Sequence, residues 1–440
     1  MKLIKMSLVA ALTIGSSAFA IDNVQVSGDA NVFYHTQDAD MTPNVLSGDS
    51  ATLFGKDNSA ADASLNLAIS ADLVGNDLVK VSGNAAYTII STLGLENNFV
   101  SNVWGASHSA TVGTGAGYAG SEHSGAFGGA KVENASWMTE AYVTVAMQAA
   151  TKSTVMLGRM PLDTPLAFTE TWSIEKNTFE AAVLVNQDIP GTTVVGAWVG
   201  NGNGGESLGQ DASGAVSQNS LAMGAVVNED GKFTTLGTDG AYALGVVNNS
   251  FEPLTAQAWY YDLVKVGTSF WLQADLNCKL VPGLMAGVQY TQLDLDGFDD
   301  TGSAYAAMLG YELKDMVTVK GSFSQTDKNV GILGNAGTVS GDLGYRGQSK
   351  LYTEAWWMYG YVAQADTTGM NLTVESPVNG LFDLGVYYTQ TTADAGDMRD
   401  LTITAGKEFG PLAATLAFIN YEVENEDAVN NIQAYLTLSF

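Results

Sequence analysis

The chain has 440 residues and a formal charge of −28, from 18 basic and 46 acidic side chains; that balance repels nucleic acid, so no nucleic-acid partner is expected. Hydrophobic residues make up 46%, with 49 glycines and only 8 prolines, which excludes a charged disordered chain and demands a fold that disposes of much apolar surface. Cys278 is the single cysteine, so no intramolecular disulfide can form, and it reads as a small apolar residue facing outward.

Residues 1–20 combine Lys2 and Lys5, an apolar run over 8–14 and a closing Ala18-Phe19-Ala20. This is the pattern of a cleaved secretory leader, after which the mature chain begins at Ile21. Loss of Lys2 and Lys5 moves the charge from −28 to −30. Ile21 is not a cysteine, which argues against a lipid anchor. Past the leader no stretch reaches the roughly 18 apolar residues of a transmembrane helix. The other structure that satisfies every backbone polar group in hydrocarbon is a closed β-barrel, whose signature is alternation in segments of about ten residues.

That alternation recurs along the chain. Ala63, Leu65, Leu67 and Ile69 oppose Ser64, Asn66, Ser70 and Asp72. Val266, Thr268, Phe270, Leu272, Ala274 and Leu276 oppose Ser269, Trp271, Gln273, Asp275 and Asn277. Met370, Leu372 and Val374 oppose Asn371, Thr373 and Glu375. At the end Ile432, Ala434, Leu436, Leu438 and Phe440 oppose Gln433, Tyr435, Thr437 and Ser439. Successive side chains of a strand point to opposite faces, so one face is lipid-like and the other wet.

Clusters of Gly, Pro, Asn and Asp mark short turns at 74–77, 149–152, 188–191, 249–253, 279–283, 312–315, 376–380 and 407–411. Longer polar or Gly-rich connections alternate with them, at 37–60, 92–133, 160–176, 202–240, 326–366, 391–400 and 423–429, with tight ones near Asp262 and at 296–302. Eight short inner turns joining nine hairpins give an all-β, up-and-down antiparallel transmembrane barrel of about eighteen strands, one domain over 21–440. Two further periodic segments, 219–228 and 351–362, are read as outer-loop structure; counting both gives twenty strands, and sixteen is the lower alternative.

Parity places Lys80, Glu140, Asp275, Lys320 and Glu375 on the lumen face, with Asp72 near the inner mouth. Passive transport needs only a wet passage whose wall charges bias which ions enter. Aromatic clusters at Trp259, Tyr260 and Tyr261, and at Tyr387 and Tyr388, suit rings seated at the membrane interfaces. Trp356 and Trp357, inside an outer connection, are read as contacting a ligand or a neighbouring loop.

The segment LGRMPLDTPLAFTETWSIEKNTFEAAVLVNQDIPGTTVVGAWVG (157–200), the later LYTEAWWMYGYV (351–362) and the ending QAYLTLSF (433–440) resemble the major outer membrane porins of Campylobacter and its relatives. The resemblance implies an eighteen-stranded, homotrimeric barrel in the bacterial outer membrane, with its third outer loop folded inward. Residues 160–176 fall in that position. The resemblance therefore makes Asp163, Glu170, Glu175 and Lys176 candidates for the pore constriction, with Arg159 at its base. Alternation from Val155 and Leu157 aims Arg159 outward unless a bulge turns it. The ending resembles the signal read by the barrel-assembly machinery, which assigns that role to Phe440. Calcium is associated with the family, and Asp294, Asp296, Asp299 and Asp300 form an acidic cluster with only a fragment of calcium-loop spacing. No other cofactor is expected.

Other chemistry finds little support. A Ser-His-acid site must draw on His35, His108 or His123, and no motif frames them. No zinc or redox pattern is present. Gly113, Gly115 and Gly117 mimic part of a dinucleotide fingerprint without its strand-to-helix context. The reading is a passive outer-membrane porin with mild cation preference and no catalytic activity. An exported adhesin built as a soluble β-solenoid and an outer-membrane hydrolase are the alternatives.

Overall fold

The computed structural model describes residues 21–38, 52–55, 59–91, 135–172, 174–204, 231–237, 239–338, 347–394 and 396–440. The leader at 1–20, the Gly-rich connection 92–133 with His108, His123, Gly113, Gly115 and Gly117, and the segment 219–228 lie outside them.

Alternating segments become strands because one face meets an apolar surrounding and the other a polar interior. In chain order these are β1 (Asp22–Gln37), β2 (Ser59–Gly75), β3 (Val79–Ser91), β4 (Ala135–Met147), β5 (Ser153–Met160), β6 (Phe179–Asn186), β7 (Thr192–Gly202), β8 (Thr234–Thr235), β9 (Ala241–Asn248), β10 (Leu254–Leu263), β11 (Gly267–Asn277), β12 (Leu284–Leu295), β13 (Thr301–Leu313), β14 (Val317–Thr326), β15 (Thr368–Val378), β16 (Phe382–Thr392), β17 (Met398–Phe409), β18 (Leu412–Val423) and β19 (Val429–Ser439). β8 is two residues long and only pairs with the end of β7. The other eighteen form one antiparallel sheet, each beside its chain neighbour. β19 returns to β1, in register from Asp29 opposite Ser439 to Gln37 opposite Asn431. The sheet is a closed barrel with no open edge. A solenoid of stacked coils is thereby excluded.

All eight short turns join consecutive wall strands, from 76–78 between β2 and β3 to 410–411 between β17 and β18. Turn chemistry explains their sharpness. Asn379 (φ 48°) and Gly380 (φ 68°) both adopt the left-handed backbone that hairpin turns favour because it matches strand twist. Segment 351–362 is not a strand; it forms turns that end in a 3-10 turn at Tyr361–Ala363. The wall therefore has eighteen strands, not twenty.

Large apolar side chains point outward and stay exposed, among them Leu67, Leu157, Leu184, Leu244, Leu272, Val288, Leu309, Leu372, Leu416 and Leu436. No helix among the described residues is long and apolar enough to cross a membrane. The outward band belongs to strands. Adjacent aromatics divide between the faces, which corrects the reading that seated both clusters at the membrane interfaces. Tyr260 is exposed on the outer face whereas Trp259 and Tyr261 are buried inside, and Tyr387 faces the interior cavity with Trp356. Period-two geometry forbids neighbours in a strand from sharing a face.

Candidate functional site

Two connections fold into the barrel instead of standing above it. The first runs from β5 to β6 and is described at 161–172 and 174–178; the second runs from β14 to β15 and is described at 327–338 and 347–367. Leu166, Ile332, Leu351 and Val362 from these loops pack against Trp259, Trp271 and Leu293 of the wall. On the other side Ile174, Trp357 and Met358 pack against Phe33 and Ile419.

Polar pins hold this arrangement. Glu170, 3% exposed, accepts hydrogen bonds from Thr338 Oγ1 at 2.5 Å, Asn335 Nδ2 at 2.9 Å and Trp172 Nε1 at 3.0 Å. Asn335 Nδ2 also donates to the Phe168 carbonyl at 2.8 Å. The far end of the first loop is fixed to β2, where Ser64 Oγ donates to the Ile174 carbonyl at 2.7 Å. In the second loop one Glu354 carboxyl accepts the backbone N–H groups of Ser349, Ala355 and Gly360 at 2.6, 3.1 and 2.9 Å. Asp400 of β17 receives the N–H groups of Trp357 and Met358, each at 2.8 Å. Buried backbone donors require such partners.

The expected constriction residues separate. Arg159 is corrected: it projects from the outer face of the wall. No bulge interrupts β5, Leu157 beside it is exposed, and Arg159 pairs with Glu180 at 2.6 Å beneath the Phe233 ring, 3.7 Å from its centroid. Glu170 and Glu175 are each 3% exposed, so they sit under the loop and not on the surface of the passage. Burial raises the Glu170 carboxyl above the usual carboxylate range. Asp163, with a side chain 88% exposed, pairs with Lys350 of the second loop. Lys176 pairs with Glu140 of β4 at 2.5 Å.

The five residues assigned to the lumen by parity all face it. Lys80 meets Asp72 at 3.0 Å and Lys320 meets Glu375 at 3.6 Å. Asp275 accepts Tyr352 Oη–H at 2.5 Å and Gln273 Nε2–H at 2.7 Å. Asp29 is held by Asn31 and Asn66. Thus Lys80, Lys176, Lys320 and Lys350 each face a carboxylate, while Asp29 and Asp275 are held by neutral donors. Among these described residues the charge left without an opposite partner is negative.

A cavity of about 340 Å³ lies between the second loop and the inner faces of β15, β16 and β19, with Trp172 of the first loop at its side. Trp356 and Tyr387 lie with ring centroids 6.5 Å apart and planes 29° from parallel. Trp172 stands edge-on to Trp357, with centroids 6.2 Å apart. Sequence reasoning missed the second loop, Asn335, Lys350 and Asp400. Its one signal was the Trp356-Trp357 pair, too apolar for a loop surrounded by water.

Among the described residues no other candidate chemistry is brought together. His35 is buried in β1 against the Trp357 ring. Asp294, Asp296, Asp299 and Asp300 are exposed, and no group of three His, Cys, Asp or Glu among the described residues is placed to hold a metal ion.

No protein-family model matches the chain, and no curated protein matches it. Solved structures do. Pseudomonas aeruginosa OccK3 (OpdO) is 12% identical with a TM-score of 0.66, covering 98% of this chain and 99% of its own. Pseudomonas aeruginosa OpdK with vanillate is 13% identical with a TM-score of 0.67 over 95% and 99%; OpdK is described as an outer membrane protein. Acinetobacter baumannii OccAB3 is 12% identical, with a TM-score of 0.67 over 95% and 99%. At such identities the likeness establishes the eighteen-stranded barrel fold.

Proposed function

We propose that this chain is an outer-membrane porin through which ions and small hydrophilic solutes diffuse passively, with a mild preference for cations, and that it catalyses no reaction. One observation carries the reading: a closed wall, apolar outside, surrounds a polar lumen narrowed by two loops. Such a passage works by width and wall charge alone. Asp29 and Asp275, which have no basic partner among the described residues, favour cations entering a confined space where field lines are focused. An anionic aromatic acid such as vanillate, present in one similar structure, meets the wrong sign of charge here. Asp163, Lys350, Lys176 and Glu140 are the charged residues of the constriction in this reading.

The segments 157–200, 351–362 and 433–440 support membership of the Campylobacter type of porin, and with it a homotrimer and recognition of Phe440 by the barrel-assembly machinery. Purified protein reconstituted in a planar bilayer in a KCl gradient is expected to conduct, with a reversal potential displaced toward that of potassium. A silent bilayer refutes the porin; displacement toward chloride refutes the selectivity. Chemical cross-linking in detergent tests the trimer, and its absence at saturating reagent removes that part.

A further inference from the structure

We propose that the aromatic cavity beside the second loop is a binding subsite for a small organic cation of the quaternary-ammonium class, held by the ring faces of Trp356, Tyr387, Tyr435 and Trp172. The proposal deepens the porin reading and rests on it only for the cation's route of entry.

The argument turns on where the donors point. Tyr387 Oη–H donates to Glu375 at 3.1 Å, Tyr352 Oη–H to Asp275 at 2.5 Å and Tyr435 Oη–H to Gln433 at 2.7 Å. The Trp172 indole N–H is taken by Glu170 at 3.0 Å. Asn371 Nδ2 donates to Thr389 at 2.9 Å, and Thr373 Oγ1 to Asn371 at 3.0 Å. These groups give their hydrogens to the protein, which leaves their rings and oxygen lone pairs to meet a guest. From these groups an anion or a sugar oxygen gains little, because their hydrogens are already given to the protein. A cation without N–H groups loses nothing by that arrangement and gains from each ring.

Charge points the same way. The cavity is lined by one carboxyl, that of Glu354, and by no basic side chain. Phenol O–H groups donating into carboxylates enrich their rings in electron density, which strengthens attraction for a cation over the ring face. A volume of about 340 Å³ admits a choline-sized ion with space for water.

The test uses full-length protein purified in detergent, with choline and its uncharged isostere 3,3-dimethyl-1-butanol as probes and tryptophan fluorescence as the readout. Choline is expected to quench saturably, and the isostere at least tenfold more weakly. Trp356→Leu and Tyr387→Leu are each expected to weaken choline binding about tenfold, within the range of a desolvated cation–π contact. Trp356→Phe, which keeps a ring, restores most of it. Heat-modifiable gel mobility checks that every variant is folded. Equal binding of the isostere, binding of maltose in place of choline, or no saturable quenching by choline overturns the proposal. Because this readout needs no current, its failure is distinct from failure of the porin reading. In a conducting bilayer choline should also interrupt the open current, and the isostere should not.

Discussion

Asn335 and Glu170 lie 165 residues apart in sequence and meet at 2.9 Å inside the barrel. Through this contact the loop between β5 and β6 is tied to the loop between β14 and β15. Replacing Glu170 by alanine leaves Asn335, Thr338 and Trp172 without their acceptor, at about 1–3 kcal/mol for each buried group left unpaired. The loops then lose their common anchor. Single-channel records of Glu170→Ala are expected to show larger and noisier conductance than the parent; unchanged conductance with unchanged noise would contradict the pinning role.

The opposite fates of Arg159 and Lys176 give a sharp comparison. Lys176→Met frees Glu140 on the lumen face and should strengthen cation preference, while Glu140→Gln frees Lys176 and should weaken it. Arg159→Gln removes a charge of the same sign from the outer face and is expected to leave the reversal potential unaltered. Equal displacement by Arg159→Gln and Lys176→Met would show that Arg159 reaches the passage.

Glu354 couples the second loop to pH. Enclosure by the loop pushes its carboxyl up to about 7, against the backbone N–H groups that favour its ionised form. The folded protein thus binds this proton more tightly than the unfolded chain. Stability from this group is fully present below the ordinary carboxylate pKa and declines as pH rises from there through about 7. Fluorescence of the adjacent Trp356 and Trp357 is expected to change with a midpoint near pH 7, and Glu354→Gln should abolish the transition. A transition that persists in the variant assigns the titration elsewhere.

Gly28 and Phe440 close the barrel at its short-turn end. Each donates its N–H to the other's carbonyl at 2.9 Å. A Cβ on Gly28 would lie 2.4 Å from the Asn66 carbonyl oxygen and 2.8 Å from the Phe440 ring, and the backbone contact cannot yield cheaply. Gly28→Val should lower the temperature at which the heat-modifiable band is lost; an unchanged temperature would mean the strand end shifts freely. Phe440→Ala, by removing the terminal ring, should reduce the share of protein assembled in membranes.

The wall was legible because its determinants are local. A strand needs only alternation between neighbours, and a turn only a few residues such as Asn379 and Gly380. The interior was not. Phe33 and Trp259 look lipid-facing by composition and Trp271 falls on the wet face by alternation, but no local pattern shows that the loops cover all three. Asp400 falls at the end of the 391–400 connection, and nothing local to it shows that the N–H groups of Trp357 and Met358 end on it. Glu170 was singled out by its place in the first loop, but its role depends on Asn335 and Thr338, which no local pattern connects to it. Arg159 shows the reverse case: alternation alone aimed it outward, and the structure agrees with the alternation.

The first loop is held early in the polypeptide by Ser64 and Glu140 and late by Asn335, and the second loop ends on Asp400 of β17. Without the late anchors the closed wall would surround a wider, unfurnished bore. Cutting either anchor should return the molecule toward that unfurnished state without opening the shell, so bore and shell can be altered independently.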